Sequence, residues 1–346
     1  MDPVTHLLGG TLAGHLLAPR EPAGRRAALM IGAVAGLFPD IDYLAHLFQD
    51  PLTVLNNHRG ITHSLLLMPL WGVLLGTLAW RIRPGGIRWQ RAVSVACAAV
   101  SAHILLDLIT PYGTRILAPL DGRAFTLGTT FVIDPLLTLI LAAGLLASLS
   151  LCRRMPALVT LLLVAVLVSF QGFNRHRAEE LARSHARQQG LQARVLALPQ
   201  PFSAWNWKLV IETPGEYRIA HVNLGGVLLL ARLYPREWPL GRTLHSYRPA
   251  RHPSWQRVPR FGPPAEAKRS YRAWSSPAME PFRRFARLPS WYASDRGSGC
   301  VWFTDRRYTL PYLPPPFLFA ACPRGEREWR LLMPPRRAWL RFPASG

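Results

Sequence analysis

Apolar positions in the first half of the chain form long runs broken only by isolated polar residues. Ala27–Phe48, Ile61–Ile82, Ala92–Ile109, Phe131–Cys152 and Pro156–Phe173 each reach or approach the ~20 residues that take a helix across a bilayer. A shorter run, Val4–Leu17, suits a half-span or an interfacial helix. The pattern predicts a mostly α fold, with a multi-pass helical membrane domain over residues 1–173. The opening "MDPVTHLLGG" has no basic n-region and no small-residue cleavage site, so it reads as retained rather than as a removable signal peptide.

Past Phe173 the pattern changes. Residues 174–199 alternate basic and small apolar side chains, which predicts a helix leaving the membrane as a solvated stalk, with His176 and His185 on its surface. From residue 200 to 346, "KLVIET", "YRIAHVNL", "GVLLLARLY", "GCVWFTDRRYTL" and "FLFAACP" read as strands between Pro and Gly turns. The stretch "YPREWPLGRTLHSYRPARHPSWQRVPRFGPP" reads as surface loops. A small β-rich domain is expected there, docked on the membrane.

Charge sharpens the division. The net +22 arises from 41 Lys and Arg against 19 Asp and Glu; residues 1–173 hold 12 against 8, and residues 174–346 hold 29 against 11. The second half thus carries +18. Its arginines are interleaved with Pro and Trp and follow no nucleic-acid-binding signature, so no nucleic acid partner is expected and membrane lipids are. Oligomeric state is not legible. Cys97, Cys152, Cys300 and Cys322 make no CxxC pair; Cys300 and Cys322 can bridge if their domain faces an oxidising compartment.

Short-loop charge sets an orientation. Arg20, Arg25, Arg26, Arg81, Arg83, Arg88, Arg91, Arg153 and Arg154 fall in one set of connections, and only Arg59, Arg115 and Arg123 in the other. The first set is expected in the cytoplasm. His6, Asp40, Asp42, His58, His63, His103, Asp107 and Asp134 then all lie toward the outward ends of their segments. Ionisable groups at membrane depth are costly and are usually kept for function.

These residues suggest metal chemistry. In "GLFPDIDYL", Pro39 breaks the helical pattern, which both Asp40 and Asp42 need if they are to serve one site, because i and i+2 do not share a helix face. "HRGITH" brings His58, Arg59 and His63 around Gly60, with Thr62 placed to cap a helix starting at His63; such an N-terminus suits phosphate. His103 and Asp107 stand at i and i+4, on one face. Asp134, before Pro135, serves equally as a ligand or as a helix cap. Mixed His and Asp ligands suit one or two divalent ions, zinc or manganese. Such a centre lowers the pKa of bound water toward ~7 and clamps a phosphoryl group. The candidates for catalytic work are Arg59, by stabilising phosphate charge, with Asp42 and Asp107.

The ordered set His6, "PDID", "HRGITHS", "HILLDLITPYGT" and "FVIDP" resembles the YdjM family of membrane-bound, metal-dependent hydrolases of the bacterial inner membrane. That family is grouped with the zinc-dependent phospholipase C and P1 nuclease type. The resemblance implies a helical core of that type, metal roles for His6, Asp40, Asp42, His58, His63, His103 and Asp107, and a phosphoester substrate. By this reading the protein sits in the inner membrane with its metal site and C-terminal domain on the outer face. An ion or proton transporter using the same His and Asp residues is the alternative, and a non-catalytic membrane protein stabilised by metal is another.

Overall fold

The computed structural model describes residues 1–82, 86–225, 234–325 and 328–333. The chain divides into two compact units, Met1–Phe173 with Pro199–Ala204, and Asn174–Leu198 with Trp205–Gly346.

The first unit is helical: α1 (Pro3–Leu17), α2 (Pro22–Leu37), a 3-10 stretch (Phe38–Leu47), α3 (Pro51–Asn57), a 3-10 turn (Ile61–His63), α4 (Met68–Ile82), α5 (Trp89–Leu108), α6 (Pro135–Ser150) and the start of α7 (Met155–Gln188). Three of these helices begin at an Asp-Pro pair. Asp2, Asp50 and Asp134 each accept a backbone N–H from the first turn, and the proline that follows fills a position where no N–H is needed.

Among the described residues, the segments Pro22–Ala45, Trp89–Leu108 and Met155–Gln188 are long and apolar enough to cross a membrane. Pro51–His63 and Met68–Ile82 would count as a fourth span only as a pair bent by 78°. The expected run Ile61–Ile82 is therefore not one straight helix. Phe131–Cys152 also shrinks, to the 16 residues of α6, because its helix starts only after the Asp134 cap.

α5 is the centre of this unit. Val95, Ala99, Val100 and Ile104 pack on Ala28, Ile31 and Ala35 of α2, while Leu106 joins Leu12 of α1 and Leu137, Leu141 and Leu145 of α6. α1 and α2 approach through glycines: a Cβ on Gly10 would overlap the Gly32 carbonyl oxygen, and one on Gly36 would crowd the Gly10 backbone. This small-residue contact is the kind that drives helix association in lipid, where apolar burial alone does not. It brings His6 of α1 up against the end of α2.

The second unit carries two sheets. The first has strand order β1 (Arg194–Pro199), β2 (Asn206–Glu212), β3 (Glu216–Asn223), β4 (Arg248–Pro249), with β5 (Gln256–Pro259) also paired to β3. The second runs β6 (Pro289–Ser294), β7 (Val301–Asp305), β8 (Leu318–Arg324), β9 (Glu328–Leu332), all antiparallel neighbours. Cys300 and Cys322 form a disulfide. The Pro- and Trp-rich stretch read as loops contains the short helix Pro239–His245 as well as β4 and β5. The strand expected over 226–234 lies almost wholly outside the described residues.

The solvated stalk is corrected. Ala178, Ala182 and Ala186, spaced by one helical turn on α7, are buried against Trp207, Leu209, Ala220 and Val222 of the first sheet. His185 stacks on Trp255, with ring centroids 4.4 Å apart. Residues 194–199, expected in the stalk, are strand β1. Small residues at i, i+4 and i+8 leave a flat helix face that a sheet can cover, and charge elsewhere on the helix masked that stripe in the sequence.

Candidate metal centre

Three elements bring polar side chains to one point. Pro39 converts the end of α2 into the 3-10 stretch, so Asp40 and Asp42 leave the regular helical path. The 3-10 turn Ile61–His63 presents His63, and α5 presents His103 and Asp107 one turn apart.

Asp40, His63, His103 and Asp107 offer one ligand atom each, all within 4.8 Å of one another. His63 Nε2 lies 3.1 Å from His103 Nε2, 3.5 Å from Asp40 Oδ1 and 3.2 Å from Asp107 Oδ2. His103 Nε2 lies 3.6 Å from Asp40 Oδ1 and 3.5 Å from Asp107 Oδ2. Metal–ligand bonds of about 2.0–2.2 Å to nitrogen and oxygen set tetrahedral edges of roughly 3.3–3.6 Å. These spacings therefore leave room for one ion at the centre.

Hydrogen bonding at the far side of each ring says which atoms face inward. His103 Nδ1 donates to the Gly36 carbonyl at 2.7 Å, which leaves Nε2 as a lone pair. His63 Nδ1 faces Thr62 Oγ1 at 3.0 Å and Asp42 Oδ2 at 3.6 Å, which assigns its Nε2 the same way. Asp107 Oδ2 has no hydrogen-bond partner. With both rings in these tautomers, two imidazole lone pairs and two carboxylate oxygens converge on one point. A cation at that point would be stabilised by all four. This cluster can hold a metal ion.

Of the four, Asp40 alone is partly exposed. The side chains of His63, His103 and Asp107 are 0 % exposed, whereas Asp40 is 19 % exposed.

The remaining candidates surround the four atoms. Asp42 and His58 form an adjoining group with His63. Asp42 Oδ1 meets His58 Nδ1 at 2.8 Å, and Oδ2 accepts from the Arg59 N–H and the Thr62 hydroxyl, both at 3.1 Å. Asp42 thus stands behind His63 Nδ1, and with His58 and His63 it makes a second group that could hold a metal ion. His58 packs between Tyr43 and Tyr112, 4.1 and 5.5 Å from their rings. His6 stacks on His103 at 3.5 Å and sets Nε2 3.3 Å from Asp107 Oδ1 and 4.0 Å from Asp40 Oδ2, beside the four-atom set. The Met1 nitrogen lies 2.8 Å from His6 Nε2 and contacts Asp107 Oδ1 on that flank.

Arg59 is not free to meet a substrate in this arrangement. It is 3 % exposed, its Nη2 pairs with Asp107 Oδ1 at 2.7 Å, and Nη1 donates to Thr110 Oγ1 at 2.8 Å. Its guanidinium also sits 4.7 Å over the Tyr112 ring. A left-handed backbone, φ +62°, turns Arg59 so that its N–H reaches Asp42 while its side chain reaches Asp107. Such a conformation is uncommon outside glycine and clusters at functional sites.

Two local expectations change. Thr62 does not cap a helix, since α4 begins only at Met68; Ser64 Oγ accepts from the Leu66 and Leu67 N–H groups instead. A phosphate site at a helix N-terminus beside His63 is therefore absent. Asp134 is a cap: Oδ1 accepts from Leu136 and Leu137, and Oδ2 accepts from Gln171 Nε2 at 2.7 Å. The supporting residues that the sequence did not announce are Gly36 and Thr110, while Thr62, expected as a cap, bonds Asp42 and His63 instead.

A stretch of 140 residues is 26% identical to the uncharacterized protein YfhP of Bacillus subtilis (strain 168), covering 39% of this chain and 42% of YfhP. The chain thus matches less than half the length of that relative. No solved structure matches it. The family described as YdjM inner membrane protein matches residues 1–178, which hold every helix and side chain of the cluster. The chain belongs to the YdjM inner membrane protein family.

Proposed function

We propose that this protein is a membrane-bound, metal-dependent hydrolase acting on a phosphoester, with a lipid among the candidate substrates. The observation that carries this reading is the set of four inward-facing acceptors, two nitrogens and two oxygens, at tetrahedral spacing. A donor set of two imidazoles and two carboxylates matches zinc, and manganese next, better than the softer or all-oxygen alternatives. A divalent ion held there supplies Lewis acidity for a phosphoryl oxygen and a nucleophile at neutral pH.

The chain's own groups have distinct tasks in this scheme. His63, His103, Asp107 and Asp40 hold the ion. Asp42 and the Gly36 carbonyl fix the two ring orientations, and Arg59 steadies Asp107 while adding positive charge beside the site. The exposed edge of Asp40 marks the side from which substrate enters. The disulfide between Cys300 and Cys322 supports placing the second unit in an oxidising compartment, the outer face of the membrane.

The test is hydrolysis by the detergent-purified chain of phosphodiesters and phosphomonoesters, soluble and lipid, with zinc or manganese added back after chelation. Turnover that requires the added ion and falls at least a hundredfold in His103→Ala supports the reading. Turnover indifferent to chelation, or none across the panel with the ion bound, overturns it.

A further inference from the structure

The second unit contains a feature that the metal centre does not explain. A cavity of about 170 Å³ opens on the face of the first sheet, lined by His221, Arg248, Gln256, Tyr292 and Arg306 among others. Its lining includes two arginines and a histidine and no carboxylate.

Of the two arginines, Arg306 is held in place without being neutralised, and Arg248 stands exposed at the rim. Arg306 is anchored from behind, Nε donating to Ser290 Oγ at 2.5 Å and Nη2 reaching the Trp291 carbonyl at 3.4 Å. Among the described residues it has no carboxylate partner. Asp305, next in sequence, is taken by Arg307 at 2.7 Å. Lys208, fully buried, donates to the Arg306 and Thr309 carbonyls and to Thr309 Oγ1, and so fixes the loop that carries Arg306. Lys208 and His221 are cross-strand partners on β2 and β3, hence on one sheet face. His221 Nε2 is buried with no hydrogen-bond partner.

Burial, with the neighbouring Arg306 charge adding to it and Asp305 only partly opposing it, pushes Lys208 down to about 7, and burial pushes Arg306 down to about 10. Groups like these are stabilised by an anion, and an arginine fork suits phosphate and carboxylate alike. Donors arriving from two strands, β3 and β4, and from the loop after β7 suit a tetrahedral group, whereas a planar carboxylate would use one fork.

We propose that this cavity binds a phosphate-bearing small molecule or headgroup, gripped by Arg306 and Arg248 with His221 Nε2 as a further partner. The site is separate from the metal centre and does not depend on its chemistry.

The experiment is calorimetric titration, in the presence of a chelator, of the full chain carrying His63→Ala; chelator and substitution together weaken any metal-mediated phosphate binding at the helical unit. The probes are inorganic phosphate, glycerol 3-phosphate, and nanodiscs with or without phosphatidic acid. Saturable binding of any phosphate probe, weakened about tenfold or more by Arg306→Gln and by Arg248→Gln, is the expected result. Binding of the soluble probes assigns a free phosphomonoester, and binding only to phosphatidic acid discs assigns a lipid headgroup. Arg248 lies at the exposed rim, so its variant keeps the test valid if Arg306→Gln fails to fold. Absence of binding by every probe, or affinity unchanged in a folded arginine variant, overturns the proposal.

Discussion

Two buried aspartates of the helical unit, Asp107 and Asp134, look alike in the sequence, each a lone carboxylate in an apolar run. Asp134 uses both oxygens on ordinary partners, two backbone N–H groups and Gln171. Asp107 pairs one oxygen with Arg59 and the Met1 amino group and leaves the other facing two imidazole nitrogens without a donor. A satisfied carboxylate holds a helix end. An unsatisfied one, in the company of lone pairs, calls for an ion.

The contrast is sharpest in the paired substitutions. Asp107→Asn should remove the bound metal and strand the buried Arg59 charge, costing about 3–5 kcal/mol of stability; metal content and denaturant midpoints measure the two effects. His63→Ala, which leaves the Arg59 pair intact, should lower metal affinity more than a hundredfold with a smaller loss of stability, by competition against a chelator of known affinity. Asp42→Asn tests the outer layer, with metal affinity expected to fall about 10–100-fold because His63 loses its backing carboxylate. Asp134→Ala should cost about 1–2 kcal/mol and leave metal binding unchanged. Loss of metal in that variant would collapse the distinction.

A buried cation of the second unit extends the comparison with the opposite sign. Lys208 falls from 10.5 to about 7 in the folded chain, with burial the largest cause. Between those values the unfolded state holds the extra proton, so stability rises with pH from about 7 to about 10.5 and is lowest below that window. The thermal midpoint of the wild type should climb across this range relative to Lys208→Met, in which that part of the rise is missing.

Much of the cluster is legible in the sequence because polar side chains are conspicuous in apolar runs. His63, His103, Asp107 and Asp40 announce themselves in that way, and the Pro39 break explains how Asp40 and Asp42 point apart. Their ranking is not legible. Whether a given carboxylate ligates, backs a ligand or caps a helix, and which ring nitrogen faces inward, depends on partners 37 to 67 residues away, as Gln171 reaches Asp134 and His103 reaches the Gly36 carbonyl. Arg59 misleads for the same reason: its neighbours in sequence suggest a phosphate ligand, and its neighbours in space are Asp107 and Thr110. The packing of α7 on the first sheet was masked by charge between its alanines, although their four-residue spacing was there to read.

Elemental analysis of the protein purified in mild detergent without added metal, compared with its His63→Ala variant, tests the centre most directly. Near-stoichiometric zinc or manganese in the wild type and its loss in the variant is the predicted result. A wild-type protein that is folded, metal-free and unable to take up either ion would contradict the account.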